Sequence, residues 1–225
     1  MKREPRSDGG PADPHGDQPI ATAGAPPQAA KAAVILLHGR GSNARSMLTL
    51  IDEFLHHGVM YLGPQAAHSS WYPRPATAPV EENEPWLSSA VDRVSDAIAT
   101  AASAGVPADR TLLLGFSQGG CLASEFVVRT PRRYGGLVVL SGALPGVETG
   151  RSSDGSIEGT PVFLGYGADD PSVTPDRVRR TVRVFERLGG HVDSSRYEGL
   201  GHEINDDEIR WIDALVEQLV TSSSG

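Results

Sequence analysis

The chain has a single cysteine, Cys121, so it can form no internal disulfide and no cysteine cluster for a metal. It also has no long apolar run. Nothing approaches the roughly 20 apolar residues of a membrane span, and the first 30 residues lack the apolar core of a secretory leader. A basic cluster is missing as well. Lys and Arg number 20 against 28 Asp and Glu, a formal charge of -8, and that surplus of acid would repel nucleic-acid phosphates. Aromatic residues make up only 6% of the chain, which gives weight to any segment where they gather.

At 225 residues, with 39% hydrophobic and 21% charged side chains, the chain suits one globular domain with a substantial core. Residues 1–30 are rich in Pro, Gly, Ala and Asp and read as a disordered arm without catalytic duty. Residues 31–220 carry the domain pattern, and 221–225 read as a solvated tail. A lone thiol and the missing leader fit a reducing, cytoplasmic compartment. The expected state is a monomer or homodimer without stable membrane insertion.

From Ala32 onward short apolar runs alternate with helical patterns. Strands are expected at Val34–His38, Val59–Leu62, Thr111–Phe116, Leu137–Leu140, Val162–Tyr166 and Val192–Tyr197. Helices are expected over 43–56, 86–104, 117–130, 174–188 and 204–220, from apolar spacing and from Gly or Pro stops. This alternation predicts an α/β fold, a mainly parallel sheet with helices on both faces. Ligands of such sheets bind beyond the carboxyl ends of the strands. Four loops fall there: His38–Ser42, Ser117–Gly120, Gly167–Pro175 and Gly199–Glu203.

The second of these is the most specific. Thr111-Leu112-Leu113-Leu114 leads into Gly115-Phe116-Ser117-Gln118-Gly119-Gly120 and then a helical stretch. A strand–Gly-x-Ser-x-Gly–helix context is a nucleophile elbow, a tight turn that lifts one serine hydroxyl above the sheet. The flanking glycines leave room where a β-carbon would clash. A serine hydroxyl is a poor nucleophile near neutrality and needs a base held by a carboxylate. Two histidines follow Ser117, and only His202 lies in a loop at the correct end of the sheet. His191 precedes its strand and reads as a surface residue. Asp169 and Asp170 both qualify by position as the carboxylate. His38-Gly39-Arg40-Gly41-Ser42 supplies glycines that let backbone N–H groups approach an oxyanion, so the hole is assigned to the N–H groups of Arg40 and Gln118. Activity is expected to fall as the pH drops through histidine titration near roughly 6–7.

These segments, together with Leu36-Leu37-His38-Gly39-Arg40-Gly41 and Tyr197-Glu198-Gly199-Leu200-Gly201-His202, resemble the phospholipase/carboxylesterase group of α/β-hydrolases, which includes the acyl-protein thioesterases. The match runs in register over about 190 residues. The resemblance implies an α/β-hydrolase fold without a separate cap domain, acting on carboxylic esters or thioesters through an acyl-enzyme, with no cofactor and no metal. It aligns Gly167, Asp170 and Val173 with a Gly-x-x-Asp-x-x-Val pattern, which makes Asp170 the triad acid. Tyr166, Thr174 and Ser42 stand where relatives often carry His, Pro and Asp.

Three aromatics, Trp71, Tyr72 and Trp86, gather between Ser70 and Leu87. Trp71 and Trp86 are expected to border an apolar acyl pocket, or else to pin a long loop. Cys121, one turn into the elbow helix, reads as packing. Rival readings are acyl transfer to an acceptor other than water, and a catalytically silent binding protein on the same fold.

Overall fold

In the computed structural model, residues 13–146 and 155–221 are described. Seven strands form one sheet: β1 (Ile20–Gly24), β2 (Ala32–Leu37), β3 (Val59–Pro64), β4 (Thr111–Phe116), β5 (Gly136–Leu140), β6 (Pro161–Gly167) and β7 (His191–Tyr197). Their order is β1-β3-β2-β4-β5-β6-β7. Only β1 runs antiparallel, against β3; every other pairing is parallel. The helices are α1 (Ala44–Leu48), α2 (Trp86–Ser103), α3 (Gln118–Arg129), α4 (Pro175–Arg187) and α5 (Asp206–Thr221). None of the described helices is long and apolar enough to cross a membrane.

The continuous apolar runs of β2, β4 and β5 follow from burial on both faces of the sheet. Alternate residues divide between two cores. Ala33, Ile35, Leu37, Leu113 and Val139 pack with Leu87, Val94, Leu122, Phe126 and Phe185 under α2, α3 and α4. Ala32, Val34, Leu36, Leu112 and Val138 pack with Met47, Ile212, Leu215 and Val216 under α1 and α5. Each fully buried Val, Leu or Ile contributes about 1.5–3 kcal/mol relative to exposure. A one-residue slip of register would exchange the two faces at every position.

Two expectations need correction. Part of the arm expected over 1–30 belongs to the fold: β1 pairs with β3 from Ile20↔Pro64 to Gly24↔Met60, and His15 is fully buried. Composition missed this because one short edge strand and one histidine are enough to anchor a Pro- and Gly-rich segment. Residues 1–12 and the tail after Thr221 lie outside the described residues. The helix expected over 43–56 is also broken. It is α-helical only to Leu48 and continues as a 3-10 turn over Thr49–Glu53, while Ile51 and Phe54 keep the same buried face.

Parallel pairing brings the carboxyl ends of β2, β4, β6 and β7 to one edge. The four loops singled out in the sequence therefore share one end of the molecule.

Candidate active site

The site is built around the turn from β4 into α3. Ser117 has φ 56° and ψ −118°, a left-handed backbone that costs a non-glycine residue about 1–3 kcal/mol. Its N–H donates to the Leu140 carbonyl at 2.8 Å and its own carbonyl accepts from Cys121 N–H at 3.0 Å. The neighbours must be glycine. A β-carbon on Gly115 would overlap the Gly119 carbonyl, and one on Gly119 would overlap the carbonyls of Leu37 and His38. The bend is thus held by strands on both sides of β4.

The Ser117 hydroxyl lies 2.9 Å from His202 Nε2. On the other side of the imidazole, Nδ1 lies 2.7 Å from Asp170 Oδ2. The Asp170 side chain is fully shielded from solvent, and its Oδ1 accepts the Ser172 N–H at 2.8 Å. A buried carboxylate against Nδ1 fixes the tautomer in which Nε2 is bare and able to accept a proton. The Phe116 ring lies 5.0 Å from the imidazole, centre to centre, and limits its rotation. The sequence left Asp169 and Asp170 both open by position. Asp170 meets the histidine, whereas Asp169 uses its backbone N–H on the Leu200 carbonyl at 3.0 Å and so ties the two loops together. Gly167 lets them meet: a β-carbon there would overlap the carbonyls of Leu200 and Gly201.

The N–H groups of Arg40 and Gln118 have no hydrogen-bond partner among the described residues, while the next two amides are engaged: Gly41 N–H with Ser69 and Ser42 N–H with Gly39. Gln118 N–H is the first amide of α3, where the helix end is positive. The Arg40 side chain turns away to the loop, donating to the carbonyls of Tyr72 (2.8 Å), Arg74 (3.2 Å) and Pro73 (3.3 Å).

The sequence model of the Phospholipase/Carboxylesterase family matches residues 19–220. The chain belongs to that family. The solved phospholipase/carboxylesterase of Dyadobacter fermentans is 36% identical, with a TM-score of 0.83 over 89% of this chain and 97% of its own. Acyl-protein thioesterase 1 of Yarrowia lipolytica is 29% identical over 212 residues, 83% of this chain and 93% of that protein. Carboxylesterase SOBER1 of Arabidopsis thaliana is 27% identical over 165 residues, 71% of this chain and 72% of that protein.

In this phospholipase/carboxylesterase-family chain the two tryptophans do not form a pocket wall together. Trp71 is fully buried. Its indole N–H donates to the His38 carbonyl at 2.8 Å and its ring packs on the His38 ring at 4.9 Å. It pins the connection to the core, because a buried indole N–H requires an acceptor and the residue just after β2 supplies one. Trp86 is partly buried at the start of α2 and packs its ring against His15 and His68.

Sequence reasoning passed over two buried histidines that brace this family member's site. His15 Nδ1 accepts from Ala67 N–H and Nε2 donates to the Trp71 carbonyl. His38 Nε2 accepts from Ala66 N–H, with Nδ1 donating to the Gly39 carbonyl. Burial lowers the pKa of both, so they hold the loop as neutral rings. His15 fell in the segment read as disordered, so nothing marked it as buried, while His38 closed the expected strand Val34–His38 with no role given to its ring. Arg177 did carry a signal. It occupies the apolar stripe of α4 with Val178, Thr181, Val184 and Phe185, a place where a charge is out of pattern.

Proposed function

We infer that the chain is a serine hydrolase of carboxylic esters and thioesters. The observation that carries this reading is the unbroken chain Ser117 Oγ–His202–Asp170 at 2.9 and 2.7 Å, standing at the carboxyl edge of the sheet in a member of the Phospholipase/Carboxylesterase family. Ser117 Oγ attacks the carbonyl carbon as His202 Nε2 takes its proton. Asp170 keeps the imidazole oriented and balances its positive charge. The N–H groups of Arg40 and Gln118 hold the oxyanion of the tetrahedral intermediate. Its collapse breaks the bond to the alcohol or thiol, which leaves with the proton from His202. Water, deprotonated by His202, then attacks the acyl-serine and releases the acid.

The reaction needs no metal or cofactor. The reading places the protein in the cytoplasm, acting on small-molecule esters or thioesters as a monomer or homodimer. It is supported by relatives named as carboxylesterases and an acyl-protein thioesterase. The test combines fluorophosphonate labelling with a panel of p-nitrophenyl esters and acyl-CoAs, for the wild type and Ser117→Ala. Labelling of Ser117 with turnover that Ser117→Ala abolishes is expected. A folded wild type that takes no label and turns over no ester would favour the silent binding protein instead.

A further inference from the structure

Arg177 lies in the first turn of α4, directly behind the loop that carries Asp170. Only 8% of it is exposed. Its Nη1 donates to the Ser172 carbonyl at 3.3 Å, and the Ser172 N–H in turn binds Asp170 Oδ1. Nε and Nη2 have no hydrogen-bond partner, so among the described residues no carboxylate bonds to this guanidinium. Three unfavourable terms coincide: a buried charge without a counter-charge, two unsatisfied donors, and a cation at the positive end of a helix. An anion against the same edge relieves all three.

The orphaned atoms are the informative ones. The N–H of Nε and the neighbouring N–H of Nη2 form the straight edge of the guanidinium that matches both oxygens of a carboxylate. Tyr72, 1% exposed, has a buried hydroxyl with no nitrogen or oxygen partner. Arg177 is close enough to oppose the rise in pKa that burial imposes on this phenol, and the Cys121 thiol lies beside it. Cys121 is one turn along α3 from Ser117, joined to it by the 3.0 Å N–H to carbonyl bond. The Ser141 hydroxyl, at the carboxyl end of β5 between the strands of Ser117 and Asp170, is buried and unpartnered too. A hydrocarbon acyl chain would leave these donors unsatisfied.

We propose that Arg177, assisted by Tyr72, forms the far end of the acyl site and selects esters or thioesters whose acyl chain ends in a carboxylate. The substrates are then half-esters or half-thioesters of dicarboxylic acids, and the products a dicarboxylate and an alcohol or thiol. This inference rests on the hydrolase reading above and specifies its substrate class.

The experiment compares kcat/KM for pairs of equal chain length: mono-p-nitrophenyl esters of glutaric, adipic and pimelic acid against the p-nitrophenyl esters of pentanoic, hexanoic and heptanoic acid, corrected for spontaneous hydrolysis. The wild type is expected to favour the acidic member of at least one pair. Arg177→Met should lower that ratio about 100-fold while turnover of the neutral ester persists, from the usual strength of charge-assisted hydrogen bonds. Arg177→Lys should recover part of it, and Tyr72→Phe should lower it about tenfold. Adipate or its best homologue should inhibit wild-type turnover of the neutral ester competitively, and this inhibition should be weakened about tenfold or more in Tyr72→Phe and Arg177→Lys even if Arg177→Met does not fold. A wild type that prefers the neutral member of every pair, or a folded Arg177→Met with an unchanged ratio, overturns the proposal and leaves the hydrolase reading intact. Failure of the wild type to turn over either member, with no label on Ser117, overturns both.

Discussion

The side-chain amide of Gln118 accepts the Trp71 N–H through Oε1 at 3.0 Å, while its Nε2 donates to the Tyr72 carbonyl at 2.9 Å. The residue after Ser117 therefore clamps, through its side chain, the loop that Arg40 also holds, and in the proposed mechanism its backbone N–H faces the oxyanion. Gln118→Ala keeps the backbone N–H and leaves the Trp71 N–H unpaired, while the Tyr72 carbonyl still accepts from Arg40 and Ser70. We expect a loss of about 1–3 kcal/mol in stability and a kcat/KM lower by about tenfold, with an unaltered pH profile. Denaturant titration beside steady-state kinetics measures both, and unchanged stability would refute the clamp.

The two neighbouring aspartates separate cleanly by substitution. Asp170→Asn should lower kcat by about 10⁴ with the fold retained, because an amide facing Nδ1 favours the wrong tautomer. Asp169→Asn removes no hydrogen bond to the imidazole and should lower kcat less than tenfold. Ser117→Ala should lower kcat by about 10⁶. Comparable losses in both aspartate variants would show that the loop as a whole, and not one carboxylate, governs the histidine.

Truncation tests the N-terminal segment. Removing residues 1–30 deletes β1 and takes His15 away from Ala67 and Trp71. Stranding those two backbone groups costs about 1–3 kcal/mol each, which for a domain of this size lowers Tm by roughly 10 °C. Differential scanning calorimetry reads this directly. A truncated protein melting with the full chain would mean that the segment adds nothing to stability.

Glu208 makes the protein's stability depend on pH. Its Oε2 accepts the Asn205 N–H at 3.0 Å while Asn205 Oδ1 accepts the Glu208 N–H at 3.0 Å, a reciprocal cap at the start of α5, three residues after His202. The other oxygen is buried without a partner, against Gly165. Burial pushes this carboxyl from 4.5 up to about 7. The folded protein thus keeps a proton that the unfolded chain has released, so folding takes up a proton between those values. The contribution of Glu208 is full below pH 4.5 and is lost as the pH rises to about 7. Glu208→Gln should leave Tm nearly unchanged at pH 4.5 and raise it at pH 8. Equal effects at both values would rule out a buried acid.

His15 and His38 act with the opposite sign. Burial lowers both from 6.5, so the unfolded chain binds protons that the folded one refuses, and stability falls as the pH drops below 6.5. A His38→Gln variant should flatten that acid limb of the Tm–pH curve, measured on the Glu208→Gln background to remove the opposing titration. A limb as steep as before would show that His38 is not its source.

The strand–helix alternation, the parallel sheet and its two buried faces were legible because both-sided burial writes continuous apolar runs such as Val34–Leu37 and Leu112–Leu114 into the chain. The elbow was legible for a similar local reason: Gly115 and Gly119 answer a steric demand that no other residue meets. Local patterning could not say that His15 would reach Trp71 across 56 positions, that Trp71 would turn into the core, or that Arg177 would be enclosed without a counter-charge. Those outcomes depend on which distant groups the packed sheet sets side by side, and on the need of every buried donor and acceptor for a partner. Sequence alone determined which side chains were available for chemistry and at which edge they would stand. Tertiary packing decided which of them touch, because distances of 2.7 and 2.9 Å between residues 32 and 85 positions apart arise only once strands far apart in the chain are locked into register.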